Sequence, residues 1–104
     1  MELYLDTIQK CGMYLLKLSD EDIEYNIFEE FDIGATSFLH ENSLVKLQRA
    51  NFITDGVFRK SIELRSKYVR LQDTEQWNVY SVRNSLEWKE LMKLSDEIKS
   101  QLRK

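Results

Sequence analysis

The chain has 104 residues, 42% of them hydrophobic and 32% charged, with a formal net charge of −3. That length fits one domain around one core, and no run approaches the roughly 18 consecutive apolar residues of a membrane span. One cysteine and one histidine exclude an internal disulfide and a structural zinc cluster. Proline is absent and glycine occurs three times, so a chain without helix breakers and rich in Leu, Glu, Lys and Ser is predicted to be all-α. The expected architecture is a single-domain bundle of four long helices plus a short fifth helical element. Met1-Glu2-Leu3-Tyr4 carries acid where a secretion signal needs base, and Lys10 interrupts the first apolar stretch, so the expected location is cytoplasmic.

In chain order, Tyr4, Leu5, Ile8, Cys11, Leu15 and Leu18 recur at three- and four-residue steps and predict a first helix over 2–18. Gly12, on the edge of this stripe, is read as allowing a close helix contact. Ser19 is a good N-cap for a second helix from Asp20 to about Asp32, with Ile23, Ile27 and Phe31 as its inner line and Gly34 ending it. Thr36 or Ser37 is expected to cap a third helix ending near Asn51, with inner face Leu39, Ser43, Leu47 and Ala50. Thr54 or Asp55 opens a fourth through about Gln72. Residues 73–84 read as a short helix capped by Thr74, because an isolated strand has nothing to pair with. Ser85 or Asn84 caps a last helix with Trp88, Leu91, Met92, Ser95, Ile98 and Leu102 on one face, and Lys99, Arg103 and Lys104 suit its C-terminal end.

Charge is distributed unevenly. Residues 1–50 carry ten acids and four bases, a net of −6, and residues 51–104 carry eight acids and eleven bases, a net of +3. The halves either neutralise each other within the fold or leave two oppositely charged surfaces. Seven of the thirteen residues from Asp20 to Asp32 are acidic and none is basic. At 100° per residue, Glu21, Asp22, Tyr25, Glu29 and Asp32 fall within an arc of about 100° opposite the inner line. Such a face is either a solvated helix surface with one exposed tyrosine or a docking surface for a basic protein. In the second case the carboxylates steer association and Tyr25 is the anchor. An exposed helix face supplies no cleft for paired-acid catalysis, and Asp20-Glu21-Asp22-Ile23-Glu24 lacks the ligand alternation and glycine turn of a calcium loop.

The fourth helix is the opposite case, with Arg59, Lys60, Lys67 and Arg70 on its outer side and Glu63 among them. Its junction with the third helix has a helix-turn-helix spacing, which suggests a nucleic-acid reading. Against this stands the acidic whole, with a pI near 5.2. Arg65 lies among apolar positions and is expected to form a salt bridge to a neighbouring helix. His40 has no nucleophile at a suggestive spacing and reads as a boundary residue, Cys11 as a small buried hydrophobe, and Gly12, Gly34 and Gly56 form no phosphate loop. Trp88 is expected in the core. Trp77 either caps the bundle or adds a second aromatic anchor to an interface.

A helical chain of about a hundred residues, acidic in one region and without catalytic equipment, resembles the immunity proteins that protect bacteria against colicins and contact-dependent growth inhibition toxins. The run Trp77-Asn78-Val79-Tyr80-Ser81-Val82-Arg83-Asn84-Ser85-Leu86-Glu87-Trp88, continuing to Leu94-Ser95-Asp96-Glu97-Ile98-Lys99, has the character of such small bacterial proteins. The resemblance covers the general character of the chain. It implies a monomer that binds a toxin domain, often a basic nuclease, in a one-to-one complex and occludes its substrate site. It implies no enzymatic activity, cofactor, metal, nucleic acid or membrane for the inhibitor. From the helix geometry, the expected contact set is Glu21, Asp22, Tyr25, Glu29 and Asp32. Two rival readings remain: a nucleic-acid-binding regulator using the fourth helix, and a helical adaptor or oligomer subunit.

Overall fold

A computed structural model describes residues 1–102; the expectation that Arg103 and Lys104 serve the basic end of the last helix lies outside the described residues. The all-α class holds: every regular element among the described residues is helical. The helices are more numerous than four long ones and a short fifth: among the described residues, helical stretches cover 2–9, 13–17, 20–37, 41–49, 55–71, 79–84 and 86–102.

Helix α1 spans Glu2–Gln9 and stops well before residue 18, and Met13–Lys17 forms a separate 3₁₀ turn. The break falls at Gly12, whose backbone is extended (φ 161°, ψ 170°). A helix end leaves backbone groups without intrahelical partners, and the last helix supplies them. Ser95 Oγ lies 3.1 and 2.9 Å from the carbonyls of Ile8 and Cys11, Lys99 Nζ donates to the Cys11 carbonyl at 2.6 Å, and the Met13 N–H donates to Asp96 at 3.1 Å. The chain turn at 10–12 is thus stapled to the far end of the sequence.

Ser19 caps the next helix, its hydroxyl accepting from the Asp22 N–H at 3.2 Å. This helix is continuous over 20–37 but changes winding along its length: α2 (Asp20–Ile23), a π segment (Glu24–Phe31), then α3 (Asp32–Ser37). The buried residues explain the change. Ile23, Ile27, Phe31 and Ala35 repeat every fourth position and are all buried. In an α-helix with 3.6 residues per turn, each four-residue step drifts by about 40°, so the stripe would wind off the core within three steps. Turns widened to i→i+5 hydrogen bonding, as from the Asp32 N–H to the Ile27 carbonyl, drift the opposite way over the same step, so a π segment flanked by α winding keeps all four side chains inward.

Gly34 does not end this helix. It is buried inside α3, where a β-carbon would come within 2.8 Å of Thr7 Cβ. The glycine is used for the close approach of α3 to α1, the role the sequence reading gave to Gly12. Helix α4 (Glu41–Arg49) is capped by His40, whose Nδ1 accepts from the Asn42 N–H at 3.2 Å, and not by Thr36 or Ser37. It ends in a Schellman-type turn. Asn51 takes the left-handed conformation (φ 64°), and the Phe52 and Asn51 N–H groups return to the Leu47 and Gln48 carbonyls.

Helix α5 (Asp55–Leu71) starts at the predicted Thr54 cap, which accepts from the Val57 N–H at 3.2 Å. Residues 73–84 do contain a short helix, α6 (Val79–Asn84), but its cap is Asn78, accepting from the Ser81 N–H at 2.8 Å. Thr74 instead orders the turn after α5 through the Leu71 carbonyl and the Gln76 N–H. Helix α7 (Leu86–Leu102) begins at the predicted Ser85, whose hydroxyl accepts from the Trp88 N–H at 3.3 Å.

Helices α5 and α7, each of 17 residues, form the most extensive helix–helix interface. Against them lies the inner stripe of 20–37, joined by Tyr4, Ile8, Cys11 and Leu15 from the N-terminal segment. One hydrophobic cluster results. Its aromatic end holds Phe28, Phe31, Tyr68, Trp77 and Trp88, with ring centroids 4.9 to 6.2 Å apart. Edge-on aromatic contacts of this kind add to the burial they accompany. Among the described residues, no helix is long and apolar enough to cross a membrane.

Candidate functional site

The acidic helix presents most of its carboxylates outward. Asp20, Glu21 and Asp22 occupy its first turn, where the helix dipole favours negative charge and gives them a local structural purpose. Glu24, Glu29 and Glu30 lie beyond that turn and have no such explanation. Tyr25 stands among them with half of its surface exposed. Its hydroxyl donates to the Glu30 carboxylate five residues on, a spacing that the widened turn brings onto one face. That hydrogen bond, with the charge of Glu30 behind it, raises the phenol above its ordinary value of 10.0.

The five sequence-predicted contact residues separate into two groups. Glu21, Asp22, Tyr25 and Glu29 are exposed. Asp32 departs from the expectation. It is half-buried, and its Oδ1 accepts from the Tyr68 hydroxyl at 2.9 Å and from Gln72 Nε2 at 3.4 Å. Past the π segment the residue lies on the seam with α5, so uniform 100° spacing misplaces it. Glu24 and Glu30 were absent from the predicted set; the four-residue period of Ile23, Ile27 and Phe31 was the signal for the widened turn that brings Glu30 beside Tyr25.

The acidic segment is only slightly neutralised from within. Asp20 pairs with Arg83 at 2.9 Å, and that guanidinium also donates to the carbonyls of Leu16 (3.2 Å) and Leu18 (2.6 Å). Among the described residues this is the one ion pair that joins the negative first half to the positive second half. The others, Lys60–Glu97, Lys67–Glu63, Lys67–Glu90 and Lys99–Asp96, lie within residues 51–104. Glu21, Asp22, Glu24, Glu29 and Glu30 therefore have no cationic partner among the described residues.

The basic side of α5 is, by contrast, partly spent on its own neighbours. Lys60 and Lys67 face carboxylates, while Arg59 and Arg70 remain exposed. Arg65 does not form the expected salt bridge among the described residues; its Nε is buried without a hydrogen-bond partner there. His40 is exposed and serves as the cap of α4. Cys11 is fully buried, and burial pushes its thiol up to about 12, far from a reactive thiolate at neutral pH. No group of three or more His, Cys, Asp or Glu side chains is arranged to hold a metal among the described residues.

Trp77 packs on the core, its ring 4.9 Å from Phe28 and 5.0 Å from Tyr68, and one side of it stays open to solvent. Trp88 is buried as expected, and its indole N–H donates to the Gln76 carbonyl at 2.7 Å, holding the turn that carries Trp77.

These features define an all-α domain with one carboxylate-rich helix face around an exposed tyrosine. No protein-family model, curated protein or solved structure gives a significant match to the chain.

Proposed function

We propose that this chain is an immunity-type inhibitor that binds a basic toxin domain, a nuclease in the most concrete form, and blocks its substrate access by occlusion. The observation that carries the reading is the group Glu21, Asp22, Glu24, Glu29 and Glu30, uncompensated among the described residues and arranged about the half-exposed ring of Tyr25. Five like charges on one short helix repel one another, and a cationic surface relieves that repulsion on binding. A nuclease that holds phosphates presents such a surface, so the same carboxylates that draw it in cover the groove its substrate needs. Tyr25 gives the contact area and a directed hydroxyl. Inhibition of this kind needs no chemistry from the inhibitor.

The test pairs the chain with toxin domains encoded beside it in its genome. Co-expression is expected to restore growth, and light scattering of the purified mixture to give a one-to-one complex. Glu21→Lys with Glu29→Lys is expected to weaken that complex by at least about tenfold, since two close charge pairs become repulsive. An adjacent toxin domain that the chain leaves active, or a complex indifferent to the double reversal, overturns the proposal.

A further inference from the structure

Beside the acidic face runs a groove lined by Glu24, Phe28, Trp77, Asn78 and Val79. One wall is the π segment and the other is the turn leading into α6. Phe28 and Trp77 meet edge-on and are both half-buried, so each is fixed by the core and still open on one side. Asn78 is committed to its own backbone, donating to the Glu75 carbonyl and accepting from the Ser81 N–H. Glu24 is the one ionised group in the lining. It has no ion pair among the described residues, and Glu21 lies one turn before it.

We infer that this groove is a specificity pocket for one arginine side chain of the basic partner, its guanidinium lying over the Trp77 indole and its fork meeting the Glu24 carboxylate. The inference rests on the reading above and names the partner's anchoring residue class. Charge complementarity selects a cation, because the lining holds a carboxylate and no base. Shape selects arginine over lysine: a guanidinium is planar, weakly hydrated and able to stack on an aromatic face while donating two parallel hydrogen bonds, whereas an ammonium keeps its water. The aromatic wall is rigid before binding, since Trp77 is held by Tyr68 and Trp88 as well as Phe28, so little ordering cost accompanies occupation.

Titration of the isotope-labelled protein with acetyl-Gly-Arg-Gly-amide, followed through the two tryptophan indole resonances, tests this. The Trp77 signal is expected to move saturably and the buried Trp88 signal to stay, which also reports that the fold is intact. Replacing arginine by citrulline or lysine in the peptide, or Glu24 by glutamine in the protein, is expected to weaken binding about threefold to fivefold. Glu41→Gln, exposed in the first turn of α4 and outside the groove's lining, is expected to leave it unchanged. A Trp77 signal that does not saturate, or equal affinity for arginine, lysine and citrulline, or indifference to E24Q, overturns the pocket. Its failure is distinguishable from that of the function proposed above: E21K with E29K still weakens toxin binding if only the pocket is wrong, while arginine peptide binding persists without any toxin partner if only the function is wrong.

Discussion

The phenol of Tyr68 on α5 holds the carboxylate of Asp32, at the junction of the π segment and α3, through a 2.9 Å hydrogen bond. The Ile27 carbonyl lies 3.2 Å from the Tyr68 hydroxyl oxygen, and the Tyr68 ring stands edge-on to Phe31 at 4.9 Å. One side chain thus ties the wide-turn segment to α5 by both its ring and its hydroxyl. Tyr68→Phe keeps the ring and leaves Asp32 with only the longer contact to Gln72. Its expected cost is about 1–2 kcal/mol, the usual size for an under-satisfied, partly buried polar group, read from urea unfolding. Asp32→Lys should cost more, whereas Glu29→Lys on the exposed face should change stability by no more than about 0.5 kcal/mol. Loss of partner binding in an Asp32 variant would therefore report misfolding, and the same loss in a Glu29 variant would report contact.

Gly34 allows α3 to lie against α1 at Thr7. A methyl group at position 34 would press on Thr7 Oγ1 and meet Cγ2 at 2.5 Å and Cβ at 2.8 Å, and Cβ cannot move unless the α1 backbone does. Gly34→Ala is expected to destabilise by about 1–3 kcal/mol, the range of overpacked cores. The gain in helix propensity, about 1 kcal/mol, offsets this in part. Thr7→Ala in the same chain should restore some of the loss, and a double-mutant cycle by thermal unfolding would show that the two sites couple.

Arg83 is bound through three nitrogens, to Asp20 and to the carbonyls of Leu16 and Leu18. Lysine keeps the charge but cannot reproduce the fork. Arg83→Lys is expected to cost about 1–2 kcal/mol, more than the exposed ion pair with Asp20 alone would suggest. Asp20→Asn should cost less than Arg83→Lys, because it leaves both carbonyls served. Chemical denaturation of the two variants compares them directly.

Alkaline pH should unfold the protein by linkage. Burial, then the hydrogen bond to Asp32, raises the Tyr68 phenol above 10.0, and burial likewise raises Tyr4. Burial pushes the Cys11 thiol from 9.0 up to about 12. Each group holds its proton more tightly folded than unfolded, so the stabilisation is complete below the unfolded values and is lost as pH rises through the folded ones. Stability from urea unfolding should therefore fall progressively above about pH 9. The slope should be shallower in Tyr68→Phe. A thiol reagent at pH 8 should leave Cys11 untouched until denaturant is added.

Much of the architecture was legible because local signals and burial agree. Ser19, Thr54 and Ser85 cap the helices they were expected to cap, and Ile23, Ile27 and Phe31 are all buried. Features that failed to show depend on distant residues. The break at 10–12 is stabilised by Ser95, Asp96 and Lys99, more than eighty residues away, so apolar spacing alone ran the first helix through it. Thr36, Ser37 and Thr74 are as good caps on paper as Ser19, and only packing decides against them. Gly34 reads as a stop signal until Thr7 is seen beside it. For the candidate surface, four of five residues face outward as helical spacing implied, and Asp32 does not because the winding changes ahead of it.

That change of winding has a consequence for how the surface could diversify. The segment Glu24–Phe31 is anchored at its start by Ser19 and Arg83 and at its end by Tyr68. Loss of one residue between the anchors would return the backbone toward ordinary α winding and swing the carboxylates around the helix axis, while both ends stayed seated. The loop of slack stored in the wide turns is a dial: a single-codon deletion would re-aim Tyr25 and its acids at a differently shaped target without redesigning the interior.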